Sequence, residues 1–412
     1  MGSFFTSQFF TSNRANLRKL FTGTAPIVIT ANGMLQRGGD STYAFNQDAS
    51  FWYFTGIDNP DVILVMDKNQ DYLIVPELSP VMEFFDGAID LNLLSERSGI
   101  KDIYYAAEGF KKLESRLKKV KHVATLAALP LYEEHYHFYP NPARNMLTSR
   151  LKSYNNAVEL LDLSTHVTRL RVIKQKPELM AIQVAIDLTS KAIKSSMTKA
   201  KLQKYAYEYE LEAELTKYYR RAGSEGHAFD PIVAGGLNAC TLHSVANNSP
   251  LSSKDLILVD TGASVEHYAA DITRTYTINN PTKRQQAVYD ATLEVQDYAL
   301  KLLRPGVIMK EYEYAVELYM GEKLRELGLI KTISYENVRK YYPSATSHFL
   351  GLNVHDVGDY SRPLEAGMVL TVEPGIYIRE EAIGVRIEDD VVITDDGLVN
   401  LSKRLPKSIS LN

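Results

Sequence analysis

The stretch 258–278, "LVDTGASVEHYAADITRTYTI", constrains the fold more than any other part of this chain. Two apolar, β-branched runs flank a short polar middle, which predicts a β-hairpin. The hairpin carries Asp260 and Asp271, eleven positions apart. Carboxylates are scarce in buried strands because an unpaired buried charge is costly. With Gly262 expected near the turn, the returning strand brings both side chains to one end of a sheet. Any fold that accepts this hairpin must give the two acids something to face.

Two further acids interrupt β-prone sequence, Glu373 in "LTVEPG" and Glu388 in "VRIEDD", so four carboxylates are expected in strands. If strands from both halves meet in one sheet, four like charges converge and several protonate unless a cation compensates. Oxygen-rich sites suit Mn²⁺ or Mg²⁺, and one imidazole shifts the balance toward Mn, Co, Fe or Zn. "SHFLGLNVHD" offers His348 and His355. A single strand-borne Asp is more often a strand-end cap or half of an ion pair, and a single His a hydrogen-bonded core residue. Five such positions in matching contexts weigh against separate accidents.

The rest of the chain supplies the frame. At 412 residues it exceeds the size at which one core stops growing, so two domains are expected. Up to about residue 168, β-rich runs ("PIVIT", "DVILVM", "DYLIVP") alternate with helical stretches, an α/β pattern. Near 169–178, "RLRVIKQKPE" marks a new element, which divides the chain into 1–168 and 169–412. The second part reads helix, helix, sheet, then helix, helix, sheet again. Its helices are expected over 179–193, over 202–223 up to Gly223, over 283–306 up to Pro305-Gly306, and over 312–328 up to Gly328. The duplication is one of architecture, without a convincing sequence repeat.

Composition excludes several classes. Apolar residues make up 45% and charged residues 23%, as in a folded chain. The net charge of −4, without long blocks of one sign, argues for no nucleic-acid or anionic-membrane partner. The basic run "KKLESRLKKVK" is the solvated face of a helix. Cys240 alone rules out an internal disulfide and fits a reducing, cytoplasmic address. The opening segment does not resemble a signal peptide, and no apolar run approaches the roughly 18–20 residues of a membrane span.

The acid-bearing segments resemble the pita-bread metallopeptidases, in the branch containing aminopeptidase P (Xaa-Pro aminopeptidase) and prolidase. The resemblance covers nearly the whole chain: "DASFWYFTGIDNPDVIL", "AFDPIVAGGLNACTLHS", "VDTGASVEHYAADITRT", "SHFLGLNVHDVG", "TVEPGIY" and "VRIEDD". It implies an α/β creatinase-like N-terminal domain followed by an α+β pita-bread catalytic domain with a pseudo-twofold antiparallel sheet and flanking helices. It also implies two divalent metal ions, manganese first with cobalt or zinc as alternatives. Asp260 would chelate one, Asp271 and Glu388 would bridge both, and His348 with Glu373 would complete the ligand set of the second metal. Such a pair, about 3.5–4 Å apart, supplies a nucleophile at neutral pH and polarises the scissile carbonyl.

Glu373 is the candidate proton shuttle. His243 and His355 resemble the family's substrate-side histidines, which hydrogen-bond the peptide carbonyl and the tetrahedral intermediate. Arg386, two residues before Glu388 and so on the same strand face, resembles the family arginine that supports the catalytic site electrostatically, and Tyr377 resembles a residue that backs the ligands and is counted with the substrate contacts. Phe229 stands among the substrate contacts where a tyrosine is common. The bland readings are a loop hydrogen bond for His243, an ion pair for Arg386 and a packed ring for Tyr377. Cys240 is discounted as a nucleophile because a lone Cys in apolar sequence is usually a small buried hydrophobe. His267 is expected exposed in the hairpin turn, and Trp52 in the packing of the first domain.

The implied activity is removal of the N-terminal residue from peptides with proline second, by a homodimer or homotetramer. Prolidase, which takes only dipeptides, is the nearest alternative. A non-hydrolytic binding protein or a metal-free creatinase-type reaction on the same scaffold is more distant, since both usually lack the full ligand set. The chain departs from the branch at Ser344 and Ala345, where another histidine is common, at Phe84 and Phe85 in place of a Trp-bearing loop, and at Asn46 in place of Arg. None of these is a ligand position.

Overall fold

The computed structural model describes residues 3–68, 70–126 and 139–411. The chain separates into two compact units, Met1–Leu170 and Arg171–Asn412.

In the first unit a six-stranded sheet has the order Asp102–Tyr105, Gln70–Val75, Ile63–Asp67, Ile27–Thr30, His122–Thr125, Glu159–Asp162. Ile27–Thr30 runs antiparallel to Ile63–Asp67 and parallel to His122–Thr125. Val28, Val65 and Ile74 of this sheet pack with Leu113, Leu117, Leu147 and Leu151 of two helices, Ala106–Leu117 and Ala143–Tyr154. Asp48 caps the helix Ala49–Thr55 by accepting from the Ser50 and Phe51 amides. That helix is almost wholly buried, and Trp52 lies edge-on to Phe5 and Phe10 at 5.1 and 5.4 Å. Trp52 therefore does the packing expected of it. Phe84 and Phe85 behave differently: they are 86% and 78% exposed on the helix Pro80–Asp86, which buries nothing among the described residues.

In the second unit, helices Lys176–Ser196 and Glu208–Arg221 precede the antiparallel strands Ile232–Gly235, Leu256–Thr261 and Ile272–Thr277. Helices Lys283–Leu302 and Met309–Glu326 then precede Val369–Val372, Asp389–Ile393 and Leu398–Asn400, together with the hairpin Gly375–Ile378/Ile383–Arg386. The helix-pair-then-strands order thus occurs twice. Pro177 sits in the first turn of Lys176–Ser196, and Gln175 and Glu178 close a capping box there.

Three expectations need correction. The helix expected over 202–223 starts at Glu208, because the backbone before it bonds to a crossing segment: Glu208 N donates to Ser249 O and Leu251 N to Ala206 O. A backbone whose bonds run sideways cannot also form the helical ladder. The hairpin turns at Glu266 and His267, both at positive φ, and not near Gly262. Gly262 instead lies where the two arms cross, since a Cβ there would come 1.6 Å from the Ala270 carbonyl oxygen. His267 itself is half-buried, with its amide on Glu225 Oε2. Finally, only Asp260 lies inside a strand. Asp271 directly precedes one, Glu373 directly follows one, and Glu388 occupies the break between Ile383–Arg386 and Asp389–Ile393. The sheets from the two halves do not form one continuous ladder. They meet through Glu388 N to Thr273 O at 3.1 Å and through Thr275 Oγ1 to Arg386 O at 3.0 Å.

Candidate metal centre

The site is assembled from four separate pieces of the second unit. Asp260 pairs across the hairpin with Thr273, so Asp260, Thr273 and Asp271 share one face of the sheet. The Glu388 backbone docks on Thr273, and its Oε2 accepts from Thr273 Oγ1 at 2.6 Å. Glu373 is aimed by its amide, which donates to Thr346 O. His348 is fixed by Thr371, whose amide donates to His348 O while Thr371 Oγ1 accepts from His348 N.

Asp271, His348 and Glu388 each offer a ligand atom within 4.8 Å of the other two. His348 Nε2 lies 3.5 Å from Asp271 Oδ2 and 3.3 Å from Glu373 Oε1. Asp260 is outside that trio and pairs instead with Arg386, whose Nη2 reaches Asp260 Oδ2. Arg386 also donates to Thr273 Oγ1 at 3.0 Å and to the Tyr377 hydroxyl at 2.9 Å.

The electrostatics are those of an overcrowded acid cluster. Burial, then Glu388 and Asp260, push the Asp271 carboxyl well above the ordinary range. Burial, then Glu373 and Asp260, do the same to Glu388. Glu373 is raised by burial, with Arg386 opposing and Asp260 reinforcing. Burial and the neighbouring His355 lower His348 to about 3, so its imidazole is neutral. Its Nδ1 faces the Phe349 carbonyl at 3.1 Å. A carbonyl only accepts, which assigns the proton to Nδ1 and leaves the Nε2 lone pair toward the carboxylates.

One observation tests whether a cation suits these residues. Asp260 Oδ1, Asp271 Oδ1 and Glu388 Oε1 are buried without a hydrogen-bond partner. Buried polar atoms are almost always satisfied, and carboxylate oxygens beside a neutral imidazole are a donor set for a hard-to-borderline divalent ion. The residues fit.

The histidines singled out in the sequence lie around this set. His355 stands edge-on to His348, ring centroids 4.3 Å apart. Partial burial and then His243 lower its pKa, with Asp260 acting the other way, so His243, His355 and Asp260 share one electrostatic neighbourhood. Both histidines are exposed to solvent. Phe229 is half-buried with its ring against Gly262. Cys240 is buried, and its thiol is pushed up to about 11 by that burial, which suits a packed residue and not a nucleophile.

Several residues escaped the sequence reading. Thr273 bonds both Glu388 and Arg386. Asp390, with Oδ2 on the Asp271 amide, is a further buried acid, legible as the residue two positions after Glu388. Glu313 accepts from the Thr346 and Ser347 amides just before His348. Glu208, fully buried, accepts from Gly235 N, Asn238 Nδ2 and Ser249 N, and so pins both ends of the segment carrying His243. Glu313 and Glu208 lie on helices far away in sequence, and no local pattern marks them.

Comparison with known proteins identifies the family. Residues 180–395, more than half of the chain, match the model of metallopeptidase family M24, and residues 10–125 match the aminopeptidase P N-terminal domain. The chain is 34% identical to Xaa-Pro aminopeptidase 3 of Rattus norvegicus over 93% of its own length and 79% of the relative's. It is 31% identical to the Xaa-Pro aminopeptidase of Escherichia coli over 96% and 94%. Among solved structures it resembles the low-pH form of E. coli aminopeptidase P, with a TM-score of 0.87 and 30% identity over 98% of this chain and 96% of that one. Proline aminopeptidase P II of Yersinia pestis gives a TM-score of 0.84 and 30% identity over 98% of each chain. With its N-terminal domain and its doubled helix-and-sheet second domain, the chain belongs to the pita-bread metallopeptidases, family M24, in the branch of aminopeptidase P and prolidase.

Proposed function

We propose that this chain is a metal-dependent Xaa-Pro aminopeptidase that releases the N-terminal residue from peptides with proline at position two. The observation that carries the reading is the buried set Asp271, His348 and Glu388, with unpartnered carboxylate oxygens and a neutral imidazole. The relatives' names and the two family models support the substrate class. A division near residues 168–170 into an aminopeptidase P-like domain and a catalytic domain belongs to the same proposal, supported by the two compact units.

In this reading Asp260, Asp271, His348, Glu373 and Glu388 hold two divalent cations, manganese in the first instance. A zinc-substituted form of the E. coli relative exists, so zinc is a reasonable comparison metal. When bound, the ions supply an activated water and Lewis-acid polarisation of the scissile carbonyl. Glu373, beside the bound ions, would take the proton of the activated water and return it to the departing prolyl nitrogen. His243 and His355, on the solvent side of the cluster, hydrogen-bond the peptide carbonyl as charge develops there. Arg386 holds Asp260 and is itself held by Tyr377, so both act on position and not on the reacting atoms. Phe229 offers a ring to the bound peptide. An Xaa-Pro bond has no N–H and a fixed ring, so a site shaped for the ring can select it where general peptidases fail.

We place the enzyme in the cytoplasm as a homo-oligomer. The single cysteine supports the address, and no described helix is long and apolar enough to cross a membrane. The deciding experiment is one assay on chelated protein, with Mn²⁺, Co²⁺ and Zn²⁺ added back separately against Xaa-Pro-Xaa tripeptides and Xaa-Pro dipeptides. Metal-restored cleavage of tripeptides is expected. Cleavage of dipeptides alone would make it a prolidase, and stable protein that neither binds metal nor cleaves either would overturn the reading.

A further inference from the structure

Beside the donor set lies a second group of buried charges that the reaction does not use. Asp356, Arg171 and Lys174 are all nearly inaccessible. Asp356 Oδ1 accepts from Arg171 Nη2, and Oδ2 accepts from Lys174 Nζ at 3.0 Å. Lys174 Nζ also donates to the Arg171 carbonyl at 2.7 Å, and its backbone amide donates to Gly367 O. The cations sit at the start of the second unit, more than 180 residues from Asp356 in sequence.

Asp356 immediately follows His355. Its backbone amide donates at 2.8 Å to the Phe349 carbonyl, the same oxygen that receives His348 Nδ1 at 3.1 Å. One carbonyl therefore closes the loop 349–356 and fixes the tautomer of His348. The loop is drawn tight over the ion group: a Cβ at Gly351 would lie 2.1 Å from Asp356 Oδ2 and 2.8 Å from Lys174 Nζ. Gly351 O takes the amide of Ala269, which ties the same loop to the hairpin bearing Asp260 and Asp271. A buried ion group is seldom the most stabilising filling for a core, and apolar residues of similar volume often match it. Here the two cations converge on the carboxylate of a residue that directly follows His355 and whose amide shares the Phe349 carbonyl with His348.

We infer that Asp356, clamped by Arg171 and Lys174, is the positioning residue that sets the His355 imidazole against His348. The inference rests on the proposed substrate-side role of His355 only for its kinetic consequence. The geometric claim stands apart from it.

The test uses full-length protein. In metal-loaded enzyme, Asp356→Asn is expected to lower kcat on an Xaa-Pro tripeptide by about tenfold to a hundredfold with little change in KM, the cost of a misplaced group. In a His355→Ala background the same substitution is expected to add less than about twofold, because residues acting through one another are non-additive. Should Asp356→Asn fail to fold, the combined variant Arg171→Met, Lys174→Met and Asp356→Leu keeps the volume apolar and carries the same kinetic comparison. The second readout needs no activity. In ¹⁵N-histidine-labelled, chelated protein, the ring resonances assigned to His355 should move in either Asp356 variant, while those of the exposed His122, in the first unit, should not. Full additivity in the His355→Ala background, or unmoved His355 resonances, overturns the positioning role. Wild-type protein inactive on every Xaa-Pro peptide would remove the aminopeptidase reading instead, and the resonances would still decide the role of Asp356.

Discussion

Glu388 and Asp389 are neighbours in the chain, both almost wholly buried, and electrically opposite. Asp389 is saturated: Oδ1 takes Arg274 Nη2 at 2.6 Å, and Oδ2 takes Lys407 Nζ at 2.9 Å and Asn400 Nδ2 at 2.7 Å. Burial pushes its pKa up, but Arg274, Lys407 and Asn400 outweigh that and hold it below the ordinary value. Glu388 faces the other way, into Asp271, Glu373 and Asp260, with Oε1 unpartnered and its pKa raised. Successive residues of an extended chain point to opposite faces, so one backbone segment serves a structural face and a chemical face. The lesson is that burial of an acid alone says little. The partners it faces separate a structural carboxylate from one arranged for a cation.

The comparison breaks most sharply under Glu388→Ala. This change should cost at least about a thousandfold in kcat/KM, roughly 4 kcal/mol of barrier, while the protein stays folded. Activity within tenfold of wild type would end the assignment of Glu388 to the metal. Its neighbour should respond in the opposite currency: Asp389→Ala strands Arg274 and Lys407, and about 3–5 kcal/mol of stability should be lost in urea unfolding. A near-neutral result there would show that the paired face is not structural.

pH sharpens the contrast, because the two faces carry shifts of opposite sign. In chelated protein Asp271, Glu373 and Glu388 have raised folded-state pKa values. The stability they contribute is present below the ordinary carboxyl range and is lost as pH rises from about 4.5 toward about 8, the value Glu373 reaches. Asp389 has a lowered pKa, so its contribution is present above about 3.8 and is lost as pH falls below it. Unfolding free energy measured across pH should fall less steeply between about 4.5 and about 8 in Glu388→Gln, and less steeply toward acid in Asp389→Asn. The smallest effect is expected at Tyr377→Phe. It removes one of the Arg386 bonds and should cost about 1 kcal/mol, less than tenfold in kcat/KM.

Much of this was legible in the sequence, for reasons that differ by element. The hairpin, the doubled helix-pair order and the capped start at Pro177 follow from periodicity and local caps, which act over a few residues. The burial of Trp52 and the inert Cys240 follow from their apolar surroundings. The four acids stood out because each interrupts β-prone sequence, although three of them prove to sit at strand ends or breaks. Those breaks arise where one half of the unit docks on the other, as Glu388 does on Thr273, and a docking partner more than a hundred residues away leaves no local trace. The late start of the helix at Glu208 has the same origin, in backbone bonds to Ser249 and Leu251. So does the role of Gly262, which depends on where Ala270 returns.

The sequence by itself determined which residue types this protein can bring to a metal, because placing acids in or beside apolar, β-prone runs is a local act with a local signature. Only the tertiary structure decided which of them face one another and which are neutralised by a cation of the chain. Arg274 and Lys407 take Asp389, Arg171 and Lys174 take Asp356, Arg386 takes one oxygen of Asp260 and leaves the other unpartnered, and Asp271, His348 and Glu388 are left to converge. The reason is physical: the energy of a charge depends on distance and burial, and for groups remote in the chain both are set only when the sheets close.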